Sequence, residues 1–118
     1  MNKDILYKKI NVFQKVVDNS IDNLKRTCET MNDEDNEYVS VDACDFIDVL
    51  VSVKVSDVKD VNGVLTLLVV IKYKNYRFMD EETFLYELKN ELKSSLGINV
   101  NIEVEDTINT FPPDQRQW

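Results

Sequence analysis

The sequence predicts an α+β fold in which a long N-terminal helix and a second helix pack on a sheet of three or four strands, giving two layers. Apolar residues near the N-terminus recur every three or four positions, which is typical of a helix. In the middle of the chain the period changes to two, and the Asn-Gly pair at 62–63 indicates an antiparallel β-hairpin. Helical spacing then returns once, before a final alternating run at 98–105.

The first predicted helix covers about residues 3–31. Its apolar stripe contains Leu6, Ile10, Phe13, Val17, Leu24, Cys28 and Met31. No proline interrupts it, so the helix is expected to be about 40 Å long. That is longer than a compact domain of this size, and we expect one end to overhang the core or to contact another chain.

An acidic run at 32–37 is predicted to be a solvated loop. Counting from Asp33 places Tyr38 and Cys44 where a calcium-binding EF-hand needs glycine and glutamate, so the run does not match that motif.

Residues 38–73 are predicted to be extended, with a short leading strand at 38–41 and two long strands around the Asn-Gly pair. The strand at 64–73 is apolar on both faces, which is typical of a central strand. A regular two-residue loop would set valines of one strand opposite lysines of the other. We therefore expect a bulge, either at Gly63 after a type I turn or near Ser56-Asp57. In the resulting register Val55 pairs with Val69, Val53 with Ile71, and Val51 with Tyr73.

The second helix is predicted at 80–96, where Asp80 can cap its start and Gly97 can adopt the left-handed conformation after its end. The run at 98–105 alternates apolar and polar residues, which predicts an edge strand with one wet face.

One domain is expected over residues 1–106, followed by an extended arm over residues 107–118. Pro112 and Pro113 lie in this arm and cannot donate hydrogen bonds to a sheet.

Composition argues against common catalytic machinery. The chain has no histidine, which removes the commonest general base and metal ligand. Asp42, Asp45 and Asp48 could be an acid–base or metal cluster, but a strand would place Asp45 on the face opposite to the other two, so the three would not converge. They are interpreted as turn and strand-edge residues, a common role of aspartate. We predict no enzyme activity, no catalytic residue, no cofactor and no metal site.

The net charge of −8 argues against direct nucleic-acid binding. No apolar run is long enough for a membrane span or a secretory signal, so a cytoplasmic or virion location is expected. Cys28 and Cys44 lack a C-x-x-C spacing and are predicted to be reduced thiols.

Two surfaces are predicted to bind a protein partner. Leu50, Leu68 and Val70 form a mixed apolar patch on one sheet face, for which simple exposure is an equal alternative. The arm contributes Phe111, Pro112, Pro113 and Trp118, because aromatic side chains anchor interfaces.

The order of a helix at 5–31, a hairpin at 49–73, a helix at 80–96 and a strand at 98–105 resembles the small α/β proteins of tailed-phage connectors, including tail-terminator and neck proteins. The resemblance implies a non-enzymatic ring or virion subunit that self-associates and takes no small-molecule substrate. The alternative is an acidic inhibitor or regulator that binds a basic protein surface, as nucleic-acid mimics do.

Overall fold

The structure, a computed structural model, describes residues 3–30 and 41–111, with side chains from residue 9 onward. Within these ranges the elements are α1 (Lys3–Thr30), α2 (Val41–Val49), β1 (Leu50–Val61), β2 (Val64–Tyr73), α3 (Glu82–Leu96) and β3 (Val100–Asn109). The predicted α+β class is confirmed. The predicted acidic loop at 32–37, and Pro112, Pro113 and Trp118 of the predicted arm, lie outside the described residues.

The three strands form one sheet in the order β1-β2-β3. β2 is central, as predicted, and pairs antiparallel with β1 and parallel with β3. A parallel neighbour needs a crossover connection, which α3 supplies between β2 and β3. The predicted start of the last strand was wrong, because β3 begins at Val100 and Ile98 is exposed before it.

The hairpin combines a regular turn with a bulge farther along β1. Asn62 and Gly63 have φ values of 53° and 81°, the pair of positive angles that a type I′ turn needs, and Val61 pairs with Val64. Gly63 is therefore not the bulge residue. The register shifts between Val55 and Asp57 instead, which is the second of the two expected positions.

Upstream of that bulge the predicted pairs Val55–Val69 and Val53–Ile71 are present. The predicted pairing of Val51 with Tyr73 was wrong. A second irregularity at Val51 places Leu50 opposite Tyr73 and leaves the Val51 side chain 56% exposed.

The core lies between one sheet face and the helices. Its buried members are Val17, Ile21 and Leu24 from α1, Ala43, Phe46 and Ile47 from α2, Val53, Val55, Leu67, Val69, Ile71, Tyr73 and Val100 from the sheet, and Phe84, Leu88 and Leu92 from α3. The Phe46 ring lies 5.4 Å from that of Tyr73 and 5.1 Å from that of Phe84, measured between centroids. Burial of such apolar area is the main term that stabilises the fold.

The extended conformation predicted for residues 41–49 was wrong, because this segment is helix α2. Its buried residues Ala43, Phe46 and Ile47 follow the i, i+3, i+4 spacing of one helix face. Phe46 inserts between rings of the sheet and α3, so tertiary packing overrides the strand preference of the flanking valines.

The prediction of reduced thiols was also wrong, since Cys28 and Cys44 form a disulfide with a Cα–Cα distance of 5.6 Å. Sequence spacing could not show this proximity, because it depends on α2 lying beside the end of α1. The bond ties these two helices together.

Candidate partner-binding surface

The sheet face opposite the core carries a small apolar patch. Along β2 the buried residues Leu67, Val69 and Ile71 alternate with Leu68 and Val70, so the latter two point to the opposite face. Both are half-buried. The structure thus brings Leu68 and Val70 together as predicted.

Leu50 does not join this patch, which corrects the predicted grouping. It pairs with Tyr73, a buried core residue, and packs partly against the core. The cause is the irregularity at Val51, because a shift of one residue moves a side chain to the other face of a strand.

Charged residues border the Leu68–Val70 patch on both sides. Val70 lies between Lys54 of β1 and Asp106 of β3, and Leu68 lies between Asp57 and Glu103. Apolar residues within a polar rim are the usual composition of a protein interface.

The outer edge of β1 is closed by a side chain of α1. The Gln14 carboxamide donates from Nε2 to the carbonyl oxygen of Val53 at 2.9 Å, and its Oε1 accepts from the backbone N–H of Val55 at 2.7 Å. These are the two bonds that a neighbouring strand would make. Gln14 therefore occupies the edge at this position and opposes pairing with another chain there.

Sequence reasoning missed Gln14. The available signal was a polar residue on the buried helix face, three positions before Val17 and seven before Ile21. A long polar side chain in that position needs a hydrogen-bond partner, and a sheet edge provides one.

The outer edge of β3 is open. In the part of the chain that the structure describes, the outward backbone groups from Val100 to Ile108 have no hydrogen-bond partner. Exposed Glu103, Glu105 and Asp106 lie along this strand. The sheet therefore has one edge that Gln14 blocks at Val53 and Val55, and one open, acidic edge.

The three aspartates that the sequence analysis separated lie on one face of α2. Asp42, Asp45 and Asp48 are spaced three apart on the helix, and all three are exposed. Among the described residues no group of three or more His, Cys, Asp or Glu is arranged to hold a metal ion. What the geometry creates is an acidic helix face.

The start of the predicted arm is held against the end of the sheet. β3 continues to Asn109, the Thr110 N–H donates to the carbonyl oxygen of Tyr73 at 2.8 Å, and the half-buried Phe111 donates its N–H to Asn109 Oδ1 at 3.1 Å. Residues 107–109 thus belong to β3.

Comparison with known proteins found no matching family model, no matching curated protein and no matching solved structure. Among the described helices, none has the length and apolar character needed to cross a membrane.

Proposed function

We propose that the protein is a non-enzymatic structural subunit that assembles with copies of itself, as a virion or connector-type protein would. The observation that carries this proposal is the asymmetry of the sheet edges. Gln14 blocks the edge of β1 at Val53 and Val55, whereas the outward-facing backbone groups of β3 from Val100 to Ile108 have no partner in the described part of the chain and are free to pair. An exposed edge of this length is a template for a strand from another chain.

Charge favours a head-to-tail contact over a symmetric one. Two β3 edges would set Glu103, Glu105 and Asp106 against the same residues of a second copy, and like charges directly opposite each other destabilise strand pairs. A neighbour that presents lysines to the β3 edge fits better. Head-to-tail contacts generate rings or open filaments.

The Leu68–Val70 patch and the arm would add contacts to this edge. The patch faces away from the core beside β3. The arm would begin at Phe111, which lies next to the end of β3, and would present Pro112, Pro113 and Trp118 to a neighbour.

Native mass spectrometry across the micromolar range tests the assembly, and oligomers that grow with concentration are expected. Substituting Leu68→Thr together with Val70→Thr keeps strand-forming residues and removes apolar contact area, so it should shift the protein toward monomer. The matched control is Val51→Thr, which changes a more exposed valine outside the patch. A wild-type protein that stays monomeric at every concentration contradicts the proposal.

The contribution of the arm is tested separately by removing residues 112–118. Assembly that is unchanged by this deletion excludes the arm as an anchor.

A second candidate function is an acidic inhibitor that binds a basic protein surface. The observation that favours it is the exposed row of Asp42, Asp45 and Asp48 on α2 in a chain of net charge −8. Its binding to a DNA-binding protein should weaken with added salt and with the triple substitution of these aspartates by asparagine. If binding is weakened neither by added salt nor by the triple substitution, the protein does not act as an acidic inhibitor of this kind.

The disulfide supports a site of action outside a reducing cytosol, such as a virion exposed to oxidising surroundings.

A further inference from the structure

We infer that a groove at the hairpin tip binds a small anionic ligand, one whose charged group is attached to a hydroxyl-bearing ring. The groove lies between the turn at Asn62, the later turns of α3 and the start of β3. Its volume is about 630 Å³. That is within the range of clefts that hold small molecules and cofactors.

The charge of the groove differs from that of the chain as a whole. The chain has 22 acidic and 14 basic residues, yet the described residues that line this groove include Lys89 and Lys93 and no carboxylate. By contrast, Asp48 lines the cleft beside the disulfide, and Asp22 lines the cleft beside β1. A basic cleft on an acidic protein concentrates anions locally.

The nearest carboxylate along the hairpin is engaged within the turn. Asp60 Oδ1 accepts a hydrogen bond of 2.9 Å from the Gly63 N–H, and Asp60 does not line the groove.

The two lysines are placed to act together. They are four residues apart on α3, so they lie on the same helix face. Lys89 Nζ donates to Asn101 Oδ1 at 3.4 Å, which holds its ammonium group beside the start of β3. Two ammonium groups on one wall match a phosphate or a carboxylate.

The rest of the lining suits a hydroxyl-bearing ring. Four asparagines line the groove, and a carboxamide side chain carries both a donor and an acceptor for hydroxyl groups; they are Asn62, Asn90, Asn99 and Asn101. The Tyr86 ring is 65% exposed and, with Val61 and Val64, provides an apolar surface for the flat side of a ring.

Nucleoside phosphates and acidic sugars share this chemistry. Inorganic phosphate carries the charge alone and would engage only the lysines. Ligand binding at this groove does not require the proposed assembly.

Nuclear magnetic resonance of the isotope-labelled full chain tests the site, with adenosine monophosphate, glucuronate and inorganic phosphate as separate probes. Saturable shifts are expected at the side-chain amides of Asn90, Asn99 and Asn101. Adenosine monophosphate and glucuronate should both bind more tightly than inorganic phosphate. Whichever of these two binds more tightly shows whether the ligand is a nucleoside phosphate or an acidic sugar. Equal affinity for all three would overturn the ring part of the inference.

The double variant Lys89→Gln, Lys93→Gln should raise the Kd of the better probe at least about tenfold, since two charge-assisted contacts are lost. The matched control Lys54→Gln, Lys72→Gln removes two exposed lysines of the sheet and should leave the Kd unchanged. Absence of saturable shifts with every probe, or a Kd unaffected by the loss of Lys89 and Lys93, would overturn the site.

Discussion

The Ser56 hydroxyl donates a hydrogen bond of 2.7 Å to Oε2 of Glu105 and so joins β1 to β3 across the central strand. Each of the two residues is the extra residue of a β-bulge, and both bulges lie at the level of Val69 in β2. The same hydroxyl lies 3.2 Å from the carbonyl oxygen of Leu68. A bulge bends its strand and increases the local twist. The two bulges therefore bend both edge strands, β1 and β3, beside Val69.

A double-mutant cycle of Ser56→Ala and Glu105→Ala should give a coupling energy of about 0.5 to 1 kcal/mol, since the bond is exposed to water. Urea denaturation of the wild type, the two single variants and the double variant measures it. The control is the same cycle with Ser52→Ala in place of Ser56→Ala. Its effect on the free energy of unfolding should simply add to that of Glu105→Ala. Additive effects for Ser56 and Glu105 themselves would show that the bond contributes nothing to stability.

Replacing Gln14 with alanine should lower the free energy of unfolding by about 1 to 3 kcal/mol, because two partly buried backbone groups at Val53 and Val55 lose their partner. The variant should also self-associate more readily, because the β1 edge is then free to pair. Urea denaturation and light scattering check the two effects. Lys15→Ala, an exposed neighbour on the same helix, should change neither.

Periodicity predicted most of the architecture because the elements concerned have strong local signals. α1 and α3 carry long apolar stripes, and β2 is apolar on both faces, which placed it correctly at the centre of the sheet. The requirement that apolar residues share a face also predicted a bulge at one of two positions, and the structure has it at the second, between Val55 and Asp57. It could not locate the irregularity at Val51, because that site lies at the junction with α2, which the sequence did not reveal.

The remaining features depend on contacts between distant segments. The i, i+3, i+4 spacing of Ala43, Phe46 and Ile47 was present in the sequence, but three buried residues among valines and aspartates are too few to distinguish a short helix from a strand. Once α2 was missed, the disulfide and the shared face of the aspartates could not be predicted. Gln14 was missed for a related reason, since its partners are backbone groups that any sequence could provide.

Loss of the Cys28–Cys44 disulfide should lower the free energy of unfolding by about 3 kcal/mol, the value expected for a loop closed by a sequence separation of 16. The double variant Cys28→Ser, Cys44→Ser and the wild type in excess reductant should therefore unfold at the same lower urea concentration. If reductant leaves the wild-type midpoint unchanged, the thiols are not joined in the purified protein.

Ser20→Ala should raise the free energy of unfolding by about 1 kcal/mol. Ser20 is fully buried on α1, and its hydroxyl has no hydrogen-bond partner within the described structure. A buried hydroxyl without a partner is costly, and alanine is the better helix former. Asn19→Ala, on the exposed side of the same turn, tests helix propensity alone, because Asn19 is not buried. Any gain of Ser20→Ala beyond that of Asn19→Ala is then due to removal of the buried hydroxyl. A Ser20 variant that is less stable than the wild type would mean that the hydroxyl has a partner.

Burial raises the pKa of Glu87 on α3 above its ordinary value of 4.5, because partial loss of solvent disfavours the charged carboxylate. Above the folded-state pKa the carboxylate is charged in both states, and burial then destabilises the folded protein. Below 4.5 it is protonated in both states and the penalty disappears.

Glu87→Gln should therefore be more stable than the wild type at neutral pH, and the difference should vanish as the pH falls below 4.5. Urea denaturation across this pH range measures the difference, with Glu82→Gln as an exposed control in the same helix. A Glu87 variant whose advantage persists in acid would show that packing, and not ionisation, is the cause.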